Sequence, residues 1–406
     1  MSDECKICGG AVRQVLDLGR QPRANAFIPP EEAEREFTFR LALDMCDACT
    51  MVQLHEVVPQ EMRYHGSYRY HASGSAGHRK HFEGVARDLL RTELAGADPF
   101  IVEIGCNDGV MLSTVAESGV RHLGVDPSAN VTALAAERGV RVRTAFFDEG
   151  LAEEIRAADG PADVLYGANT VCHIAHLESL FRGAVRLLKP DGIFVFEEPY
   201  LGTILDRTAF DQIYDEHCYY FTARSVQAAA ELFGLELVDV APTPLHGGEI
   251  RYTLSPAGAR RPSPAVQRML DAEAVRRLAD PATLTQFAHT IAGVRDDLLG
   301  LLREITAAGH TVAGYGAPGK AATATAFFGI GPELVPFVSD STPAKQGLLV
   351  PGSHIPVRPP EEFRRARPDY ALLFAWNHAD EIMAKEREFR NAGGRWIRYV
   401  PDVHVV

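Results

Sequence analysis

The chain has 406 residues, 46% of them apolar and 23% charged, which suits two or three domains with ordinary cores. Lys plus Arg number 41 and Asp plus Glu 54, a formal net charge of −13, which disfavours nucleic acid as a general partner because phosphate backbones reward clustered cations. No apolar run is long enough to span a bilayer, and the opening Met1-Ser2-Asp3-Glu4-Cys5 lacks the basic and apolar regions of a secretory signal, so a cytoplasmic protein with reduced thiols is expected.

Four of the seven cysteines fall in two C-x2-C pairs, Cys5/Cys8 and Cys46/Cys49. Each pair can place two thiolates on one tight knuckle, and two knuckles complete the tetrahedral sulfur shell that Zn²⁺ favours. With no open position left, the expected site is structural, in a zinc-binding domain over residues 1–80. Cys106, Cys172 and Cys218 lack partners at metal spacing and read as small buried apolar groups.

A helix is expected over about 82–96. Strand-like segments then alternate with helices: Phe100–Ile104, His122–Asp126, Asp163–Gly167 and Gly192–Glu197. That alternation predicts a parallel sheet covered by helices on both faces, over 81–258. The polar, helix-rich stretch 259–308, punctuated by Pro262, Pro264 and Pro281, reads as a connector. A second alternation follows in 309–406, with strands at His310–Gly316, Leu334–Asp340 and Tyr370–Trp376. The expected fold class is α/β: two Rossmann-like doubly wound units with a small N-terminal zinc-binding domain.

The first unit carries Glu103-Ile104-Gly105-Cys106-Asn107-Asp108-Gly109 at a strand end. Its glycines allow close backbone approach to a ligand, in the crevice beyond the strands where such folds bind cofactors. Asp126, about 20 residues on, suits the two hydroxyls of a ribose. Phe146 or Phe147 could pack on an adenine, and Asp148 could meet its amino group. A nicotinamide site would want G-x-G-x-x-G. The acid Glu103 ahead of the first glycine suits the amino-acid end of S-adenosylmethionine and repels a pyrophosphate. In the second unit Gly314-x-Gly316-x-x-Gly319 does fit the dinucleotide fingerprint, with Asp340 ending the next strand. Lys320, beside the turn, and Lys345 suit a phosphate.

With zinc knuckles and this first turn in one chain, the sequence resembles the sugar C-methyltransferases that act on nucleotide-linked 4-keto deoxysugars. The resemblance runs along nearly the whole chain. It includes Tyr214-Asp215-Glu216-His217, His246-Gly247-Gly248 ahead of Arg251, Gly314-Tyr315-Gly316-Ala317-Pro318-Gly319-Lys320, Lys345-Gln346-Gly347 and Ala375-Trp376-Asn377. It implies methyl transfer from S-adenosylmethionine to an enolate carbon beside the ketone, C3 in preference to C5, of a dTDP-linked sugar in deoxysugar and antibiotic biosynthesis. It also implies His217 as base, Glu216 as its orienter or a sugar contact, and Tyr214 as donor to the oxyanion. His173 would reach the transfer site, and Tyr68 (or Tyr70) would bring the N-terminal segment over it. Asn169 would join the cofactor contacts. Ser73, Tyr200, His246, Arg251, Tyr315, Lys320, Asp340 and Lys345 would serve the sugar nucleotide, and a monomer or weak homodimer is expected. Glu249, where the family often has Ser, and Glu198 depart from the pattern; both follow strand ends and could touch substrate, for instance an amino sugar. The alternatives are a zinc-containing methyltransferase of another small molecule or of nucleic acid, a nicotinamide-dependent sugar oxidoreductase using the C-terminal fingerprint, and a non-catalytic nucleotide-sugar-binding module.

Overall fold

The structure, a computed structural model, describes residues 4–63 and 71–406. Tyr68 and Tyr70 lie outside the described residues. The N-terminal segment forms β1 (Val12–Pro22), β2 (Thr38–Cys46) and β3 (Val52–Leu54). The middle of the chain forms β4 (Phe100–Ile104), β5 (Arg121–Asp126), β6 (Val142–Thr144), β7 (Ala162–Ala168), β8 (Leu188–Pro199), the short β9 (Tyr219–Tyr220), β10 (Leu235–Thr243) and β11 (Glu249–Pro256). The C-terminal part forms β12 (Val312–Tyr315), β13 (Val338–Ser339), β14 (Val357–Arg358), β15 (Tyr370–Leu373), β16 (Arg395–Arg398) and β17 (His404–Val405).

The central sheet has the order β10-β11-β8-β7-β4-β5-β6, parallel from β8 to β6, with β11 antiparallel to both its neighbours. The C-terminal sheet has the order β14-β13-β12-β15-β16-β17, parallel except for β17. These are the two Rossmann-like units read from the alternation of strands and helices. In each, the chain leaves its first strand in opposite directions: β5 and β7 flank β4, and β13 and β15 flank β12. Both glycine turns therefore sit at a topological switch point, where diverging loops open a crevice.

The N-terminal segment ties these units together. Its sheet, β1-β2-β3-β9, borrows β9 from the middle of the chain. One face packs on the helix Pro281–Ala307, whose Leu284, Phe287, Ile291, Val294, Leu298, Leu302 and Ile305 recur every three or four residues. They share one core with Phe39 and Leu41 of β2 and with Phe328 and Tyr399 of the C-terminal unit. The stretch read as a connector thus carries a continuous apolar stripe, the mark of a helix packed along its whole length. Among the described residues no helix is long and apolar enough to cross a membrane.

Candidate active site

At the N-terminus Cys5 Sγ lies 3.6 Å from Cys49 Sγ, and Cys8 Sγ 3.5 Å from Cys46 Sγ. Zinc–sulfur bonds of about 2.3 Å put tetrahedral sulfurs roughly 3.8 Å apart, so the four thiols stand close to ligating separation. The Gly10 amide donates to Cys8 Sγ, and the Ala48 and Cys49 amides to Cys46 Sγ, each at 3.4 Å, which suits anionic sulfur. The cluster fits a structural zinc ion with a closed shell.

The first crevice begins where β4 ends. Gly105 has φ +68°, and a Cβ there would stand 2.0 Å from Thr170 Oγ1. Asp126, at the end of β5, accepts from the Asn107 amide through Oδ2 (3.1 Å) and from the Ser128 amide through Oδ1 (2.8 Å). Held from both sides, its carboxylate keeps lone pairs for a ribose diol. Phe146 is 40% exposed, an unusual state for a large apolar ring, and lines the cavity described below. Asp148 also lines it while capping the helix Glu149–Asp159 through the Leu151 amide. Asn169 sits there in left-handed backbone at φ +50°. A tight glycine turn, a pinned acid, an exposed ring and a second acid together fit S-adenosylmethionine. Gly105→Ala should weaken S-adenosylhomocysteine binding at least tenfold in calorimetry and lower stability by about 1–3 kcal/mol, from backbone strain plus the Thr170 clash.

The second crevice repeats the device. Asp340 accepts from the Ala317 amide of the glycine turn (2.6 Å) and from the Thr342 amide (2.7 Å). Lys345 Nζ donates to the Ala317 carbonyl (2.7 Å) and lies over the Phe27 ring. Lys320 Nζ sits 4.0 Å from the centre of the Trp376 ring. Behind that ring the fully buried Asp211 accepts from Trp376 Nε1 (2.8 Å) and Tyr399 Oη (2.6 Å). Burial pushes the Lys320 ammonium down to about 8, with Asp211 opposing the shift.

One cavity of about 980 Å³ joins the two crevices, running from Asp126 and Phe146 past His173, Tyr214, Glu216, His217 and His246 to Gly316, Lys320 and Asp340. Its middle is a histidine cluster. His217 stacks on His173 at 5.1 Å between ring centres and lies tilted against Tyr214 at 4.2 Å. His217 Nδ1 lies 3.0 Å from the Gln212 carbonyl, which can only accept, so Nδ1 carries the proton and Nε2 keeps its lone pair. Burial pushes His217 down to about 3, and the Arg63 and Lys320 charges add to the shift. The ring is therefore neutral at physiological pH. Burial and the neighbouring Asp215 push Glu216 up to about 7, against a hydrogen bond from Asn25 (2.8 Å).

Six of the expected contacts lie off the cavity wall. Arg251 and His81 clamp the buried Glu197 at 2.7 and 2.6 Å, bracing the helix Ala76–Arg91 against β8. The Tyr315 hydroxyl donates to Glu386 (2.8 Å), on the far side of its sheet. Tyr200 packs under Arg276. Ser73 and Asp108 bond each other, fastening the 72–74 turn to the glycine loop, and Glu103 is buried behind Asp126. Glu198 and Glu249 are also fully buried, and Glu198 Oε1 receives the Thr170 and Val171 amides at 3.0 and 2.6 Å. Glu198 thus shapes the loop carrying His173 instead of reaching into the cavity.

Four wall residues had no sequence signal. Arg63 is buried and donates to the carbonyls of Val58, His173 and Glu216, joining the N-terminal segment to the loops that carry His173 and Glu216. Asn25 bridges to Glu216, and a Cβ on Gly319 would meet it at 2.8 Å. His78 and His378 gather around His246, His78 at 4.5 Å from His246 and 6.3 Å from His378.

Comparison with known proteins decides the family. The C-methyltransferase NovU of Streptomyces niveus is 37% identical over 408 aligned residues, covering 100% of this chain and 97% of that one. The chain belongs to the NovU-like C-methyltransferase family. Its segments match three family descriptions in turn: a putative zinc binding domain over 5–64, a methyltransferase domain over 78–240, and a C-methyltransferase C-terminal domain over 244–401. The chain is thus an S-adenosylmethionine-dependent methyltransferase. A ubiquinone biosynthesis O-methyltransferase of Azorhizobium caulinodans is 32% identical over 120 residues, 29% of this chain and 45% of that one. A solved S-adenosylmethionine-dependent methyltransferase of Anabaena variabilis aligns with 43% of this chain and 84% of its own at 18% identity, with a TM-score of 0.34.

Proposed function

We propose that this C-methyltransferase methylates the carbon beside the ketone, C3, of a dTDP-linked 4-keto deoxysugar in deoxysugar and antibiotic biosynthesis. The observation that carries the reading is the single cavity with a cofactor-type crevice at one end, a phosphate-friendly glycine turn at the other and a neutral histidine between. The spacing suits a two-part substrate: nucleotide on the C-terminal unit, sugar ring at the histidines. S-adenosylmethionine, when bound, supplies the methyl group as an electrophile, held by Gly105, Asn107, Asp126, Phe146, Asp148 and Asn169.

The sugar carbon becomes a nucleophile only after losing a proton. His217 Nε2 takes that proton, and the C–H electron pair moves toward the ketone oxygen, where Tyr214 donates a hydrogen bond. With S-adenosylmethionine held in its crevice, the resulting enolate carbon would accept the methyl group as the sulfur–methyl bond breaks, leaving S-adenosylhomocysteine and the restored ketone. A base whose conjugate acid lies near 3 is weak; burial is the main cause, and the Arg63 and Lys320 charges are smaller ones. A diphosphate beside Lys320 offsets the Lys320 contribution and leaves that of burial in place.

Mass spectrometry after incubation with S-adenosylmethionine and dTDP-4-keto deoxysugars tests the reading: a product heavier by one methylene supports it, and none across the series rejects it. The pH profile tests Glu216. His217 is already neutral across the working range, so it adds no acid limb. Glu216 loses its proton as pH rises through about 7, and the new negative charge stabilises the imidazolium that His217 becomes. kcat/KM should therefore rise through a limb near pH 7, and Glu216→Gln should flatten it. A limb unchanged in that variant would assign it to another group.

A further inference from the structure

Cys172 reads from the sequence as a buried apolar filler, but the fold gives it partners. It begins the turn Val171–His173 that follows β7. That turn packs on the segment before β9, where the Cys218 amide donates to the Cys172 carbonyl at 2.7 Å. The result brings Cys172, His173 and His217 together with one ligand atom of each within 4.8 Å of the others. Besides the four zinc-knuckle cysteines, this is the one such cluster among the described residues.

We propose that Cys172, His173 and His217 form a second soft-metal site, open to the cavity, at which a zinc-class cation binds and switches the enzyme off. Thiolate and imidazole are donors that zinc-class cations favour, and three protein ligands leave the fourth tetrahedral position to a water from the cavity. Bonds of about 2.0 Å to nitrogen and 2.3 Å to sulfur bring the three ligand atoms roughly 3.3–3.5 Å apart, so side-chain shifts of up to about 1.5 Å close the shell. Entry is from the cavity, which both histidines line. His217 Nδ1 is committed to the Gln212 carbonyl, so Nε2 is the nitrogen left for metal. The thiol proton lost on binding passes to Glu198, whose carboxylate lies beside Cys172. Glu198 is in turn fixed by the Thr170 and Val171 amides, as outer groups of metal sites are.

The inhibitory consequence rests on His217 being the base; the metal binding does not. Zinc-loaded enzyme, freed of loose metal, is dialysed against micromolar Zn²⁺ and its bound zinc counted. The expected result is one zinc per chain beyond the knuckle ion, and loss of that ion in both Cys172→Ala and Cys172→Ser. Methyl transfer should fall at least tenfold in the wild type under the same Zn²⁺ and stay near its basal level in the variants. A count that stops at the knuckle ion, or an extra ion retained by both variants, overturns the site. An extra ion that is lost in the variants but leaves wild-type turnover unchanged keeps the site and rejects the switch.

Discussion

Replacing His217 with glutamine should lower kcat by about 10²–10⁴-fold, the usual contribution of a positioned general base. Glutamine can still donate to the Gln212 carbonyl and fill the space beside Tyr214, so the loop Tyr214–Cys218 should keep its shape. S-adenosylhomocysteine and dTDP should therefore bind as they do to the wild type, because Asp126 and Asp340 stand at the ends of their own strands, each held by its own pair of amides. His246→Gln is the companion variant. His246 lines the same cavity beside His78, and no base role is assigned to it. A kcat loss confined to His217→Gln places the proton transfer there. A loss below tenfold moves it elsewhere, with Glu216 the first residue to try.

The second large effect is expected from the zinc knuckle, some distance from the chemistry. β3 follows the Cys46–Cys49 knuckle directly and pairs with β9, Val52 opposite Tyr220 and Gln53 opposite Tyr219. The Leu54 amide reaches the Cys218 carbonyl at 2.9 Å. His217 therefore hangs from a strand whose partner is anchored by zinc. Structural zinc sites hold on the order of 10 kcal/mol of binding free energy that is also folding free energy. Cys46→Ser should lose the bound zinc, lower the melting temperature and reduce turnover by at least tenfold. Cofactor binding should fall much less, since β4 and β5 make no strand pairing with the N-terminal sheet. Zinc content, thermal denaturation and calorimetry on one preparation check the three parts. Full activity in zinc-free protein would show that β9 is held without the knuckle.

Much of this site is legible in the sequence because its signals are local. A cysteine knuckle, a glycine turn and an acid at the end of the next strand each fit within a few residues, and the backbone alone dictates their geometry. Asp126 and Asp340 are marked by such signals, and the structure holds both by the same pair of amide contacts. What the sequence hides is long-range. Arg63 donates to the His173 and Glu216 carbonyls across 110 and 153 residues, and Asn25 reaches Glu216 across 191. No periodicity or spacing marks such contacts.

Strand parity explains other differences. Tyr315 and Arg251 sit close to the strand ends that face the cavity, but successive side chains alternate between faces of a sheet. Theirs point to Glu386 and Glu197, and one position's difference separates a ligand contact from a buried clamp. The helix Pro281–Ala307 reads as part of a connector because prolines punctuate the stretch 259–308 and charged residues are scattered along it. Its apolar stripe shows at the spacing of a helix, and the N-terminal sheet that covers it comes from the other end of the chain.

Carbanion chemistry at a sugar carbon leaves an isotopic trace before any methyl group moves. The dTDP-4-keto deoxysugar is incubated in D₂O with enzyme and S-adenosylhomocysteine, and the carbon beside the ketone is followed by proton NMR. Wild-type enzyme should wash deuterium into that one position, and His217→Gln should leave it as slow as buffer alone. Methylated product formed from S-adenosylmethionine with no exchange in either protein, and with the new methyl group on oxygen, would contradict the enolate mechanism and the role given to His217.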